Sequence, residues 1–134
     1  MIAVDSSVLV AAYATWHESH SQAADAVRRG PALIAHAALE AYSVLTRLPE
    51  RVRAPAELVR QYLEANFGAV WVGLSGEQQR TLLLRLPALG IAGGSVYDAL
   101  IAATAAVHEA KLLSLDARAA VVYERLGTAY ELLV

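Results

Sequence analysis

The sequence predicts an α/β domain in which short parallel strands form a sheet covered by helices on both faces. Short apolar runs without polar alternation recur at Ile2 to Val4, Ala32 to Ala35, Val70 to Val72 and Leu112 to Leu115, the pattern of strands buried on both sides. Between them lie segments of helical period bounded by capping residues, Gly or Pro. The 134 residues are 57% hydrophobic, enough to fill one core over residues 1–134. No internal repeat, low-complexity segment or linker interrupts them.

Each element has a local reason. After the first strand, Asp5-Ser6-Ser7 supplies N-cap residues for a helix through about Tyr13. Thr15 to Arg29 reads as a second helix with Ala23, Ala24 and Val27 on its apolar side, ended by Gly30-Pro31. The second strand leads into a helix from His36 to Leu48, stopped by Pro49. Arg51, Arg53 and Pro55 mark a basic loop, and Ala56 to Asn66 forms the next helix. Val70-Trp71-Val72 is the third strand, from which Gly73 and Ser75 turn into a helix to about Leu86. Pro87 to Gly94 is a loop. Ser95 starts a helix to about Ala110, Leu112 to Leu115 is the fourth strand, and Asp116 begins a helix to Leu126. Tyr130 to Leu133 is a short fifth strand, giving a sheet of about four to five strands.

Composition narrows the function. No run approaches the roughly 18 apolar residues of a membrane helix, and no basic region precedes the first apolar stretch, so a cytoplasmic protein is expected. The absence of cysteine excludes disulfides, thiolate zinc sites and cysteine nucleophiles. A net charge of −2 provides no global field toward nucleic acid. Ten arginines accompany a single lysine, Lys111, and arginine suits bidentate contacts to phosphate and carboxylate.

The acids point to chemistry. Parallel sheets bind ligands at the carboxyl ends of their strands. Asp5 ends the first strand and Asp116 the fourth, with Ser114 two residues before it. Asp98 begins the helix that feeds that strand, and Glu40 lies near the start of the helix after strand two. Singly, each has a plain structural role. Asp5 and Asp116 are good N-caps, and Ser95-x-x-Asp98 has capping-box spacing. Glu40 is harder to place, because i, i+4, i+8 spacing aligns it with Val44 and Leu48 on the apolar stripe. A glutamate there needs a cation or takes up a proton; Arg47 is one candidate partner and a metal another. Four acids at one sheet edge repel one another and call for a divalent ion. Oxygen ligands without Cys or a His pair favour Mg²⁺ or Mn²⁺ over zinc, the ions of phosphodiester cleavage.

These residues resemble a known family. Asp5-Ser6-Ser7 after a first strand, Glu40 within HAALEAYSVLTRL, Asp98 within YDALIAATA, and Leu113-Ser114-Leu115-Asp116 are similar in order and context to the PIN-domain family. Within it, the chain resembles the small VapC-type toxins of bacterial toxin–antitoxin pairs over essentially its whole length. The resemblance implies a three-layer PIN-like fold and a Mg²⁺- or Mn²⁺-dependent endoribonuclease acting as a toxin that inhibits translation. Asp5, Glu40, Asp98 and Asp116 match the family's acidic quartet, both catalytic and metal-binding. Ser6 and Ser114 match polar residues that support it. A homodimer and a hetero-oligomer with a VapB-type antitoxin are further implications. One departure is Ala117-Arg118 after Asp116, where many relatives carry another acid that bears on a second metal site.

The roles expected are in-line attack of water on an RNA phosphodiester, with Asp5, Asp98 and Asp116 on the ion and Glu40 ligating it or orienting the water. Arg118 is a candidate contact to substrate phosphate, or a surface ion-pairing residue. His17 and His20, three apart on a helix, are read as a solvated face rather than a metal pair, and His36 and His108 as structural. Trp16 and Trp71 are read as packing. The alternative from another class is a catalytically silent PIN-like binding module acting through its partner. A haloacid-dehalogenase-like phosphatase wants an acid where Ser7 stands. A phospho-receiver wants a lysine after a late strand, whereas Lys111 precedes strand four.

Overall fold

The computed structural model describes residues 1–134 and contains five strands and seven helices. The strands are β1 (Ile2–Val4), β2 (Ala32–Ile34), β3 (Trp71–Val72), β4 (Lys111–Ser114) and β5 (Tyr130–Leu132). They form one sheet in the order β3-β2-β1-β4-β5, and every neighbouring pair is parallel. The helices are α1 (Ser6–Tyr13), α2 (His20–Arg28), α3 (Ala35–Thr46), α4 (Ala56–Ala65), α5 (Gly76–Arg85), α6 (Ser95–Val107) and α7 (Ala117–Arg125).

The chain runs outward from β1 to β2 and β3, then crosses back to β4 and β5 on the other side. Right-handed crossovers therefore place α1 to α4 on one face and α5 to α7 on the other. Packing agrees: α1 meets α2 and α3, and α3 meets α4, whereas α6 meets α5 and α7. The result is three layers, helices over a wholly parallel sheet over helices. No helix is long and apolar enough to cross a membrane.

The core follows the sheet. Val4, Leu33, Ile34, Leu112 and Leu113 pack with Val8, Leu9, Leu45, Val59 and Ile101 in one cluster. Alanines set the helix spacing on the first face, since Ala11, Ala23, Ala37 and Ala41 are fully buried where α1, α2 and α3 approach. A smaller cluster of Leu82, Leu86, Ile91, Ala99 and Val122 joins α5, α6 and α7. Both faces of β1 and β4 are thus covered, which is why their sequences show no alternation.

Several boundaries differ from expectation. Residues 15–19 form a turn, and α2 starts at His20 rather than Thr15. The His17 N–H donates to Ala14 O, and the His17 ring Nδ1 accepts the Ser19 N–H at 3.0 Å, so local bonds replace the helical ladder. His17 and His20 consequently do not share a helix face. Helix α3 ends at Thr46, short of Leu48, and α6 at Val107, short of Ala110. The latter end is a Schellman motif: Glu109 adopts φ 53° while the Ala110 and Glu109 N–H groups return to Ala105 and Ala106 carbonyls. Strand β4 begins one residue early, with Lys111 paired to Glu131 of β5 at 3.0 Å.

Candidate active site

In a sheet of order 3-2-1-4-5 the direction of winding reverses between β1 and β4, and a crevice opens there beyond the strands' carboxyl ends. Asp5 follows β1 and Asp116 follows β4, so the topology places both acids at this switch point. Asp98 comes from the first turn of α6 and Glu40 from the second turn of α3. The four meet electrostatically. The Asp98 carboxyl is pushed up to about 6, first by burial and then by the negative charges of Glu40, Asp116 and Asp5, against a smaller pull from Arg118.

Asp5 is the structural keystone. Only 2% of it is exposed. Its Oδ1 caps α1 by accepting the Val8 N–H and also takes the Ser7 hydroxyl, while Oδ2 accepts the Tyr123 hydroxyl at 2.7 Å. Burial pushes its carboxyl above the usual carboxylate range, although the hydrogen bonds from Ser114, Ser7, Tyr123 and Val8 oppose that. Tyr123 is itself buried, and burial, followed by the Asp5 charge, drives its phenol far up. It remains a donor across the working pH range.

The other acids are held more lightly. Asp116 is exposed and caps α7 by accepting the Arg118 and Ala119 N–H groups, while its own N–H donates to Ser114 Oγ at 3.0 Å. Glu40 accepts the Ser6 hydroxyl at Oε1. Arg47 bonds Ser43 instead and is not the cation beside Glu40. Asp98 makes no capping bond, and the N-cap of α6 is Gly94. The capping-box reading of Asp98 is therefore not the one the fold adopts. Its raised proton affinity has no compensating contact, as expected of a group shaped for a ligand rather than for stability.

Ser6, Ser7, Asp116 and Arg118 line a cleft of about 460 Å³, joined by His17 and Ser19 from the turn before α2. His20 is instead structural, its Nδ1 2.9 Å from the Ala11 carbonyl, and His108 Nε2 meets the Gly73 carbonyl at 3.1 Å. Trp71 packs against the core, whereas Trp16 is exposed, contrary to its reading as packing. A separate, more apolar groove of about 490 Å³ lies between α3 and α4, lined by Leu39, Tyr42, Leu63 and Trp71.

The donor set suits a hard divalent ion: carboxylate oxygens with hydroxyl support and no sulfur. No three His, Asp or Glu side chains are arranged to hold an ion among themselves. The fit is to an ion that keeps several waters and takes one or two carboxylates, as Mg²⁺ does, and not to an all-protein cage.

The PIN domain family model matches residues 2–125. The chain belongs to the PIN-domain family, on its VapC branch. Ribonuclease VapC40 of two Mycobacterium tuberculosis strains is 48% identical over 132 residues, covering 98% of both sequences. Ribonuclease VapC27 of the same species is 42% identical over 128 residues, covering 94% of this chain and 92% of that protein. In this PIN domain, Tyr123 and the link from His36 to Glu40 escape a reading of the sequence, as does which of the two serines serves which acid. Ser7, rather than Ser6, supports Asp5, and it also accepts the Leu115 N–H at 2.9 Å, tying the start of α1 to the end of β4. Ser6 instead serves Glu40, so neither hydroxyl caps α1. Tyr123 left one trace, a tyrosine on the buried stripe of α7, where a hydroxyl needs a partner. His36 lies beside Glu40.

Proposed function

We propose that this PIN domain is a Mg²⁺- or Mn²⁺-dependent endoribonuclease, the toxin of a toxin–antitoxin pair. Hydrolysing RNA phosphodiester bonds in the cytoplasm, it would arrest translation and growth. The observation that carries this reading is Asp98. A carboxyl raised to about 6 by burial and three neighbouring carboxylates, at the switch point of a parallel sheet, is a site made for positive charge. The relatives' names, both ribonucleases, support the choice of RNA.

When bound, a divalent ion supplies charge neutralisation at the scissile phosphate and an acidified water. One or two of Asp98, Asp116 and Asp5 would hold that ion directly and the rest through its retained waters, Asp5 from the buried side. Glu40, presented beside Ser6, would ligate it or orient the attacking water by accepting its proton. Ser7, Ser114 and Tyr123 keep Asp5 in place, and outer contacts of this kind tune ligand orientation. Arg118, exposed on the cleft wall, would meet a substrate phosphate. A VapB-type antitoxin partner, in a complex built on a toxin homodimer, completes the reading.

The test is an RNA cleavage assay with Mg²⁺ titration and end mapping of the products. Cleavage at defined positions is expected, lost by about 100-fold or more on chelation and restored by Mg²⁺ or Mn²⁺. Cleavage undiminished by chelator would reject the metal assignment. No cleavage at any ion concentration would favour the silent binding module.

A further inference from the structure

Two residues outside the quartet and its hydroxyls bear on Glu40. His36 lies one turn earlier on α3, and its Nε2 is 3.7 Å from Glu40 Oε2. That nitrogen is buried without a hydrogen-bond partner, the only side-chain polar atom of the protein in that state. An unsatisfied buried donor costs about 1–3 kcal/mol, so the fold keeps the imidazole there against a penalty. Tyr97 holds it: the rings stack with centroids 5.4 Å apart and planes 11° from parallel. Tyr97 immediately precedes Asp98, so the stack joins α3 to α6 at the two acids. Glu40 Oε1 is already held by Ser6 from α1. One oxygen of Glu40 is thus anchored, and the other faces an imidazole nitrogen with nothing else to bond.

We propose that His36 is the positioning residue of Glu40, its Nε2–H donating to Oε2 in the working complex, with Tyr97 fixing the ring. Ser6 and His36 then clamp the carboxylate from opposite sides and set its plane relative to Asp98. The observed separation of 3.7 Å exceeds the long end of the N–H···O range, about 3.2 Å, by about half an ångström, and catalytic hydrogen bonds are often long before a site fills and tighten in the working complex. The inference rests on the ribonuclease reading above, because it assigns His36 a part in that reaction. Loss of an outer-shell partner of this kind typically costs about 10–100-fold.

The experiment compares His36→Ala, His36→Gln and His36→Asn, because a Gln amide reaches the Nε2 position and an Asn amide does not. For His36→Ala and His36→Asn, kcat is expected to fall about 10–100-fold with KM for RNA within about 2-fold. His36→Gln should recover most of the loss. Long-range ¹H–¹⁵N spectra of the wild-type protein should show a proton on His36 Nε2 whose resonance moves on Glu40→Gln. Wild-type kcat in His36→Ala, or equal losses in all three variants, would overturn the proposal. If the wild type cleaves no RNA, the ribonuclease reading fails instead. The spectra then decide: a Nε2 proton sensitive to Glu40→Gln upholds the clamp, and a bare or insensitive Nε2 rejects it.

Discussion

Asp98→Asn is expected to abolish RNA cleavage, by about 10³-fold or more, and yet to stabilise the metal-free protein at pH 7. Both effects have one origin. The Asp98 carboxyl rises from 3.8 to about 6 because burial and the charges of Glu40, Asp116 and Asp5 disfavour its ionised form. An acid whose pKa is higher folded than unfolded binds its proton more tightly in the native state. Its stabilising contribution is complete below 3.8 and is lost as pH rises through about 6. At pH 7 the native metal-free protein bears the whole repulsion. Asn removes the charge without changing the shape. Water still reaches part of the Asp98 side chain, so the gain is about 1 kcal/mol after screening, or about 3 °C in melting temperature. Thermal melts from pH 4 to pH 7 check this. The wild-type melting temperature should fall relative to the variant across that range, and Mg²⁺ should close the gap from the wild-type side. A variant that melts lower than wild type at pH 7 would contradict the account.

Asp5 is expected to behave in the opposite way. Asp5→Ala should destabilise the protein by about 2–4 kcal/mol, besides eliminating cleavage. It removes the α1 cap and leaves the buried Tyr123 hydroxyl, the Ser7 hydroxyl and the Val8 N–H without their acceptor. Asp5→Asn keeps an oxygen for the cap and a group for Tyr123, so it should lose no more than about 1 kcal/mol while remaining inactive. Urea unfolding of both variants, read beside their RNA cleavage, separates the two roles. Equal stability of Asp5→Ala and wild type would show that the hydrogen bonds around Asp5 do not hold this region together. One carboxylate can serve both roles because the end of β1, at the switch point, is also the start of α1.

The difference between Asp5 and Asp98 explains what a reader of the sequence sees and misses. Strand and helix existence was legible throughout, since Val4, Leu33 and Leu113 lie in strands covered on both faces and every helix but α3 starts from an Asp, Ser, Gly or Pro cap. The turn at 15–19 was not, because it is made by His17 and Ser19 bonding locally in a stretch of helical composition. The acids were legible as a set, each marked by its place after a strand or at a helix start. Their supports were not. Which of two adjacent serines turns toward Asp5, and that Tyr123 crosses 118 residues of sequence to reach it, depend on how β1 and β4 pair. The capping spacing of Ser95 and Asp98 was misleading, because Gly94 is the N-cap of α6 and Asp98 makes no capping bond. His36 was read as structural, yet only the fold shows its nitrogen directed at Glu40.

We propose that a divalent ion binds at the β1–β4 switch point, held by one or two of Asp5, Asp98 and Asp116 and otherwise through its own waters. The most direct test of this proposal is anomalous diffraction from crystals of the protein soaked in Mn²⁺. An anomalous peak is expected at the β1–β4 switch point, within coordination distance of Asp98 or Asp116, directly or through ordered waters, and absent from Asp98→Asn crystals. A peak bound elsewhere on the protein, or one at the switch point that persists undiminished in Asp98→Asn, would contradict it.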